Sequence, residues 1–437
     1  MTHPIVSIIG RPNVGKSTLF NRIIRKPLAI TDDRPGVTRD RNAIEFEWNG
    51  RIFMLVDTGG YVLSSRDTME RAVSEQSRLA VESSQVVLFL ADVKNGITDL
   101  DNDIARLLLK SGKPVVLGVN KVDNMRRESD IFEFYNLGLG EPFPVSGKTG
   151  RGTGDLLDEI IALLPPEGAV DMYDPDTIKV ALIGRPNVGK SSIVNSITGA
   201  ETVLVTDMPG TTRDSIDTVL TVDGQRVVLV DTAGLKKVTK LKESLEYYSS
   251  LRTLASLSRC DVAVVVLDIS EGLTSYDKRL ANDVTEAGKG LIIAANKWDL
   301  ITKDHTTMKH FEREIFDELP DKSTFPIVFT SALSGKRVEK LLDLAIGIEE
   351  KRRLRVQTAD LNRFVETLPH PPGSEDVAIL YATQFGIDPP AFVFFVKDAR
   401  KVRDNFVRYV EHRLRATFGF EGTPIKLVLK GRKTKKK

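Results

Sequence analysis

Cysteine is almost absent from this 437-residue chain, Cys260 being the only one. That excludes a disulfide framework and a thiolate metal site. Cys260 precedes the run Asp261-Val-Ala-Val-Val-Val-Leu267, where a small buried side chain is expected rather than a reactive thiol. Long apolar stretches are missing too, and none would span a bilayer. The opening Met1-Thr2-His3-Pro4 has no signal-peptide pattern. A soluble cytoplasmic protein without a membrane partner is therefore expected. The length suggests about three domains, and ordinary apolar content can build their cores without staples.

A net charge of +2 conceals an asymmetry. Residues 351–437 carry 19 Lys and Arg against 9 Asp and Glu, whereas residues 1–350 carry 43 against 51. The basic excess ends in Gly431-Arg-Lys-Thr-Lys-Lys-Lys437, which has no apolar residue to bury. This run reads either as a solvated tail or as a phosphate-seeking arm. The balance of the whole last segment favours a polyanion partner.

The octapeptide GRPNVGKS occurs twice, at Gly10–Ser17 and 174 residues later at Gly184–Ser191. Each copy fits G-x-x-x-x-G-K-[ST] and follows an apolar run, Ile5–Ile9 or Val180–Ile183. Such a loop aims backbone N–H groups at phosphates from the start of a helix. Gly10, Gly15, Gly184 and Gly189 let the backbone curl. Lys16 and Lys190 reach the β and γ phosphates. Ser17, Thr18, Ser191 and Ser192 open the following helix with hydroxyls, and Ser17 and Ser191 can ligate Mg²⁺. Two cradles imply two nucleotide sites.

The duplication continues in register. Asn49-Gly50 and Asp223-Gly224 are hairpin turns between strand-like runs. Asp57-Thr-Gly-Gly60 matches Asp231-Thr-Ala-Gly234, and Pro35-Gly-Val-Thr-Arg-Asp40 matches Pro209-Gly-Thr-Thr-Arg-Asp214. Asn120-Lys-Val-Asp123 matches Asn296-Lys-Trp-Asp299 at a spacing of 176. Between these markers, short apolar runs such as Val86–Leu90 and Val262–Leu267 alternate with the helical stretches Asp101–Lys110 and Tyr276–Ala287. The expected fold class is α/β: two tandem units, each a mostly parallel sheet with helices on both faces and one antiparallel strand. Ligand should sit at the C-terminal ends of the strands.

Asn-Lys-x-Asp after an apolar strand reads guanine. Asp123 or Asp299 can accept both the ring N–H and the exocyclic amine, whereas adenine would leave the carboxylate unpaired. An unpaired polar site discriminates by about 10⁴ or more. Asn120 and Asn296 would brace the loop and the base, and the stems of Lys121 and Lys297 would cover the ring. Ser331-Ala332 and Ser146-Gly147 would close the base pocket, the second departing from the usual Ser-Ala pattern. The nucleotide is therefore GTP or GDP, and the chain a GTPase.

Asp57 and Asp231 would complete the magnesium sites through water. Thr38 and Thr212 would sense the γ-phosphate through Mg²⁺, and Gly60 and Gly234 through backbone N–H groups. These loops would order on triphosphate and relax on hydrolysis. Where many GTPases orient water with glutamine, this chain has Tyr61 and Leu235, so slow intrinsic turnover is expected. Arg39 and Arg213 read either as charge-stabilising fingers or as switch-loop supports. Asn13 and Asn187 could each ligate K⁺ beside the phosphates, in place of an arginine finger; the alternative is a local hydrogen bond.

Two such units with GRPNVGKS, PG[VT]TRD, DT[GA]G and NKxD, followed by a small basic domain, resemble the bacterial EngA/Der GTPases. The resemblance runs from Ile5 to about Leu429. It implies a ribosome-assembly switch acting on the large (50S) subunit and its rRNA, and a small α+β KH-like C-terminal domain. A GTPase coupled to tRNA modification is the alternative, though such enzymes need a substrate domain and usually carry one GTPase unit. No DNA partner is expected, and a monomer is. The expected domains are 1–165 and 178–350, joined by linker 166–177, then 351–430 and a basic tail, 431–437. In the third domain, Leu354–Leu368 and Val402–Phe418 read as helices, and Val377–Phe385, Phe392–Val396 and Ile425–Leu429 as strands. Its only GxxG, Gly419–Gly422, reads as a helix C-cap and turn rather than an RNA grip.

Overall fold

The structure is a computed structural model that describes residues 3–24, 43–58, 77–78, 80–81, 84–124, 127–166, 173–200, 203–206, 217–232, 253, 256–302, 306–319, 325–368, 378–399 and 402–431. The chain divides into two compact units, Met1–Asp174 with Lys240–Ser258, and Pro175–Thr239 with Arg259–Lys437.

The first unit opens with β1 (Ile5–Ile9) and α1 (Lys16–Ile24), followed by the hairpin β2 (Ala43–Trp48) and β3 (Arg51–Asp57). Then come β4 (Val86–Asp92), α2 (Asp99–Ser111), β5 (Val115–Asn120), a 3₁₀ helix (Ser129–Leu137), β6 (Pro142–Pro144) and α3 (Thr153–Leu163). The sheet order is β2-β3-β1-β4-β5-β6. Every pairing is parallel except the hairpin, as expected of crossover connections. The continuous apolar run of β4 follows from burial on both faces. Val86, Leu88 and Leu90 pack with Leu19 and Leu156, whereas Val87, Phe89 and Ala91 pack with Ile104 and Phe134. Helix α2 starts on a Thr98–Asp101 capping box and stops at Gly112.

The second unit repeats this plan with β7 (Ile178–Ile183), α4 (Lys190–Thr198), β8 (Val203–Thr206), β9 (Thr218–Val222), β10 (Gln225–Val230) and β11 (Val262–Asp268). It continues with α5 (Ser275–Glu286), β12 (Gly290–Asn296), α6 (Thr307–Glu318), β13 (Ile327–Phe329) and α7 (Lys340–Arg352). Its seven-stranded sheet runs β13-β12-β11-β7-β10-β9-β8. The edge strand β8 has no counterpart among the described residues of the first copy, and α6 stands where the first copy has its 3₁₀ helix. Register locates the two extra residues. Val6 pairs with Val86, and Val180 with Val262, so the gain falls between β10 and β11.

The same unit carries α8 (Thr358–Glu366), β14 (Ile379–Gly386), β15 (Ala391–Val396), α9 (Asp404–Phe418) and β16 (Lys426–Gly431). These give the α-β-β-α-β order and a three-stranded sheet, β14-β15-β16. Helix α8 starts later than Leu354. Gln384 Oε1 accepts from Val356 N–H at 2.7 Å, and its Nε2 donates to Leu354 O at 3.0 Å, which holds residues 354–356 outside the helix. Gly419 is left-handed (φ 76°), and its N–H donates to Arg415 O at 2.8 Å, so the GxxG segment does end a helix. Gly422 O then accepts from Leu291 N–H at 2.9 Å, tying this domain to the foot of β12. A Cβ at Gly422 would stand 2.5 Å from Ile348 Cδ1 in α7.

Candidate functional site

Each phosphate loop joins a buried strand to a helix whose first residue is the loop lysine. A close approach explains the glycine before that lysine. A Cβ on Gly15 (φ 95°) would lie 2.5 Å from Asn120 Nδ2, and one on Gly189 (φ 100°) would collide with Asn296 Nδ2. Gly10 and Gly184 approach the carbonyls of Leu90 and Val266 as closely. Asn13 (φ 66°) and Asn187 (φ 64°) are left-handed without being glycine. Both loops thus share one backbone conformation ahead of a helix start.

Lys16 Nζ donates to Gly10 O at 2.7 Å and to Arg11 O at 3.0 Å. Lys190 Nζ makes the same pair, to Gly184 O at 2.7 Å and Arg185 O at 2.6 Å. Burial pushes the Lys16 ammonium down to about 8, against the pull of Asp57. Ser17, Thr18 and Ser192 are exposed and Ser191 is half-buried, so all four hydroxyl residues stand at the mouths of their loops. The loop arginines turn away. Arg11 Nε donates to Asp101 Oδ2 at 3.1 Å and Arg185 Nε to Asp277 Oδ1 at 3.1 Å, pinning each loop to the capping box of the next helix.

The two aspartates assigned to magnesium differ. Asp57 is the buried last residue of β3, paired in register with Ile8. Asp231 lies one residue beyond β10, is left-handed (φ 60°), and donates its N–H to Asp217 Oδ1 at 2.9 Å. Arg259 also donates to Asp217. The first copy has Ala43 where Asp217 stands. Among the described residues no three His, Cys, Asp or Glu side chains converge as a metal cluster. A divalent ion here would draw most of its ligands from phosphate, hydroxyl and water, as Mg²⁺ does. The glycine cradle, the lysine and the hydroxyls fit a magnesium–nucleotide complex. Thr38, Gly60, Thr212 and Gly234, with Arg39, Tyr61, Arg213 and Leu235, lie outside the described residues.

The base-reading loops are wired to the cradles through asparagine. Asn120 Nδ2 donates to Val14 O at 2.8 Å, and its Oδ1 accepts from Gly147 N–H at 2.9 Å. Asn296 Nδ2 donates to Val188 O at 2.9 Å, and its Oδ1 accepts from Ala332 N–H at 3.1 Å. One side chain in each copy therefore joins the phosphate loop, the base loop and the closing loop. Lys121 and Lys297 are left-handed, at φ 68° and 62°. Lys121 Nζ reaches Asn13 O at 2.8 Å and Asp92 Oδ2 at 2.6 Å, and Lys297 Nζ reaches Asp268 Oδ2 at 2.5 Å. Asp92 and Asp268 escaped the sequence analysis. Their signal was available, since both end an apolar strand at the 176 spacing.

The carboxylates beyond those lysines are held unequally. Asp123 Oδ1 accepts from Ser146 Oγ at 2.8 Å, and Oδ2 faces Lys94 Nζ at 3.3 Å. The Ser146 bond, helped by Lys94, holds the Asp123 carboxyl below its ordinary value despite partial burial. Asp299 is exposed, and Ser270 stands where the first copy has Lys94. Ser331 Oγ instead accepts from Ser334 N–H at 3.4 Å. Gly147 has a steric reason to depart from alanine, because a Cβ there would lie 2.9 Å from Leu19 N in α1.

Residues 5–121 and 179–297 match the family described as 50S ribosome-binding GTPase. Residues 355–430 match the KH-domain-like C-terminal domain of EngA bacterial GTPases. The protein called GTPase Der from Desulfitobacterium hafniense (strain DSM 10664 / DCB-2) is 46% identical over 436 residues, 98% of each chain. That from Alkaliphilus metalliredigens (strain QYMF) is 47% identical over 433 residues, again 98% of each. GTPase Der of Macrococcus caseolyticus (strain JCSC5402) is 46% identical over 438 residues, 99% of this chain and 100% of its own. With its two GTPase folds, its KH-like third domain and identity of this extent to these relatives, the chain belongs to the EngA/Der family of GTPases.

Proposed function

We propose that this GTPase is a switch in assembly of the large ribosomal subunit, with both nucleotide sites competent. The observation that carries the two-site reading is the duplicated asparagine tie, Asn120 to Val14 and Asn296 to Val188, which links each cradle to its own guanine loop. The ribosomal part rests on the family, described as 50S ribosome-binding, and on the basic last domain. The natural division for this work is 1–165, 178–350 and 351–430, with 166–177 as connector.

In each site Lys16 or Lys190 leaves its loop carbonyls for the β and γ phosphates. Ser17 or Ser191, with Asp57 or Asp231, would hold Mg²⁺, which would neutralise phosphate charge. Asp123 or Asp299 accepts two N–H hydrogen bonds from guanine. Thr38, Gly60, Thr212 and Gly234 read the γ-phosphate, and hydrolysis releases them. The experiment is co-sedimentation with large subunits. Association is expected with a non-hydrolysable GTP analogue and not with GDP, and it should weaken steeply with salt. Equal association in both nucleotides would overturn the switch.

Potassium is the finer part of the reading. Asn13 and Asn187 occupy the same left-handed position in both phosphate loops. A monovalent cation held there would supply the charge that an arginine finger brings elsewhere. GTP hydrolysis is expected to be faster in KCl than in NaCl at equal ionic strength, and the difference should disappear in Asn13→Asp with Asn187→Asp. Equal rates for the parent protein in the two salts would reject it.

A further inference from the structure

The two copies differ at one joint, the exit of the strand that carries the magnesium aspartate. In the first copy the hairpin of β2 and β3 runs to a last rung, Ala43 opposite Val56. Asp57 follows within β3. Thr58 then leans on the phosphate-loop strand, its N–H at 3.4 Å and its Oγ1 at 2.7 Å both donating to Ile8 O. In the second copy the ladder stops one rung earlier, at Thr218 opposite Leu229. The Asp217 carboxylate takes the place of the missing rung. Its Oδ1 accepts from Asp231 N–H at 2.9 Å, and its Oδ2 accepts from Arg259 Nη2. Thr218 Oγ1 and Thr232 Oγ1 add a hydroxyl pair at 2.8 Å.

The first copy cannot build this joint. Ala43, Ile44 and Ser83 stand at the positions of Asp217, Thr218 and Arg259. The backbone differs as well. Asp231 is left-handed (φ 60°), a conformation few non-glycine residues adopt. Such a residue persists where its surroundings over-determine it. Here the surroundings include a carboxylate only 7% exposed, with a guanidinium on its second oxygen. Each donor fixes one oxygen of Asp217, so the acceptor offered to Asp231 N–H has a set direction. A mere staple between β9 and the start of β11 could end on any main-chain group. This one ends on the residue whose side chain is assigned to magnesium. Supports of this kind orient a metal ligand without touching the metal.

We propose that Asp217, braced by Arg259, is a positioning residue of the second nucleotide site and sets the direction in which Asp231 meets the magnesium–nucleotide complex. The proposal rests on the assignment of Asp231 to magnesium. The first site holds its aspartate by the sheet ladder and the Thr58–Ile8 bonds, and the second by a charged pair. Substitution at Asp217 therefore acts on one nucleotide site of the two.

The test uses the full chain carrying Asp123→Asn, loaded with one equivalent of a fluorescent, non-hydrolysable GTP analogue at the second site. Release of the analogue is followed at stepped free Mg²⁺, and release of fluorescent GDP is followed in EDTA. Asp217→Ala is expected to raise the free Mg²⁺ needed for half-maximal retention by about tenfold or more, the usual loss when such a support is removed. Its GDP release in EDTA should match the parent, which shows an intact pocket. Arg259→Met should shift the Mg²⁺ requirement in the same direction, and Arg259→Lys should keep it near the parent value. In a chain that already carries Asp231→Asn, Asp217→Ala should add nothing, because both act through one residue. A parental Mg²⁺ requirement in Asp217→Ala would overturn the proposal. A lowered requirement would overturn it too, and would make Asp217 a latch on an idle aspartate. So would faster GDP release in EDTA without a Mg²⁺ shift, which would mark a support of the fold alone. If Asp231→Asn raises the requirement and Asp217→Ala does not, the positioning role falls and the magnesium assignment stands. If Asp231→Asn leaves the requirement unmoved, the magnesium assignment falls and the positioning role falls with it.

Discussion

A single atom decides what one loop residue can be. A Cβ on Gly147 would crowd Leu19 N at 2.9 Å, whereas its counterpart Ala332 packs against the core of the second copy. The motif Ser146-Gly147 was legible in the sequence as a departure, but its reason was not, since Leu19 is distant in the chain. Cys260 was legible at the outset, because the apolar run after it had to be a buried strand. It is fully buried, and burial pushes its thiol up to about 11. The unfolded chain would lose that proton nearer pH 8.5. The folded state therefore keeps a proton that the unfolded state releases, and stability is expected to fall as pH rises from about 9 through 11. At pH 8 a thiol reagent should not modify the native protein and should titrate one group after unfolding in urea. Rapid native labelling would contradict the burial argument.

At the scale of elements, β12 spans the second unit from foot to site. Its start receives Gly422 O and its end delivers Asn296. Beside it, Arg352 in α7 is 1% exposed and collects four partners: Glu349 Oε2 at 2.7 Å, Gly288 O at 3.1 Å, Asp261 O and Asp388. Burial raises the Glu349 carboxyl, with Arg352 opposing. Arg353 Nε also donates to Glu349 Oε1 at 2.7 Å, so losing Arg352 would leave the buried carboxylate half-paired and deprive two carbonyls of a donor, at a cost of about 3 kcal/mol. Arg352→Met should lower the urea midpoint of this unit accordingly. A midpoint unchanged by Arg352→Met would show that the guanidinium is not needed there. The strands were legible because buried parallel strands are short apolar runs. Strand β8 was not, since four residues cannot show a period. The ties through Arg352 and Gly422 were not legible either, because they join segments far apart in sequence.

For the whole molecule, the duplication makes stoichiometry the sharpest quantity. Titration with a fluorescent GDP should reach two equivalents per chain. Asp123→Asn and Asp299→Asn should each remove one guanine site, with selectivity falling by about 10⁴. One equivalent for the parent protein would refute two competent pockets. Their inequality was hidden in the sequence, where both read NKxD. It comes from Lys94 and Ser146 around Asp123, and from Asp217 and Arg259 around Asp231. The charge split was plain from composition.

The single step in the offset between the copies has a consequence for protein engineering. Residue numbers differ by 174 through β10 and by 176 from β11 to the NKxD loops, with strand partners conserved at each step. A chimera crossing over within β4 or β11 would inherit matched hydrogen-bond ladders on either side of the splice. Swapping halves between the copies would therefore transplant a switch segment, two residues longer or shorter, into an otherwise unshifted scaffold.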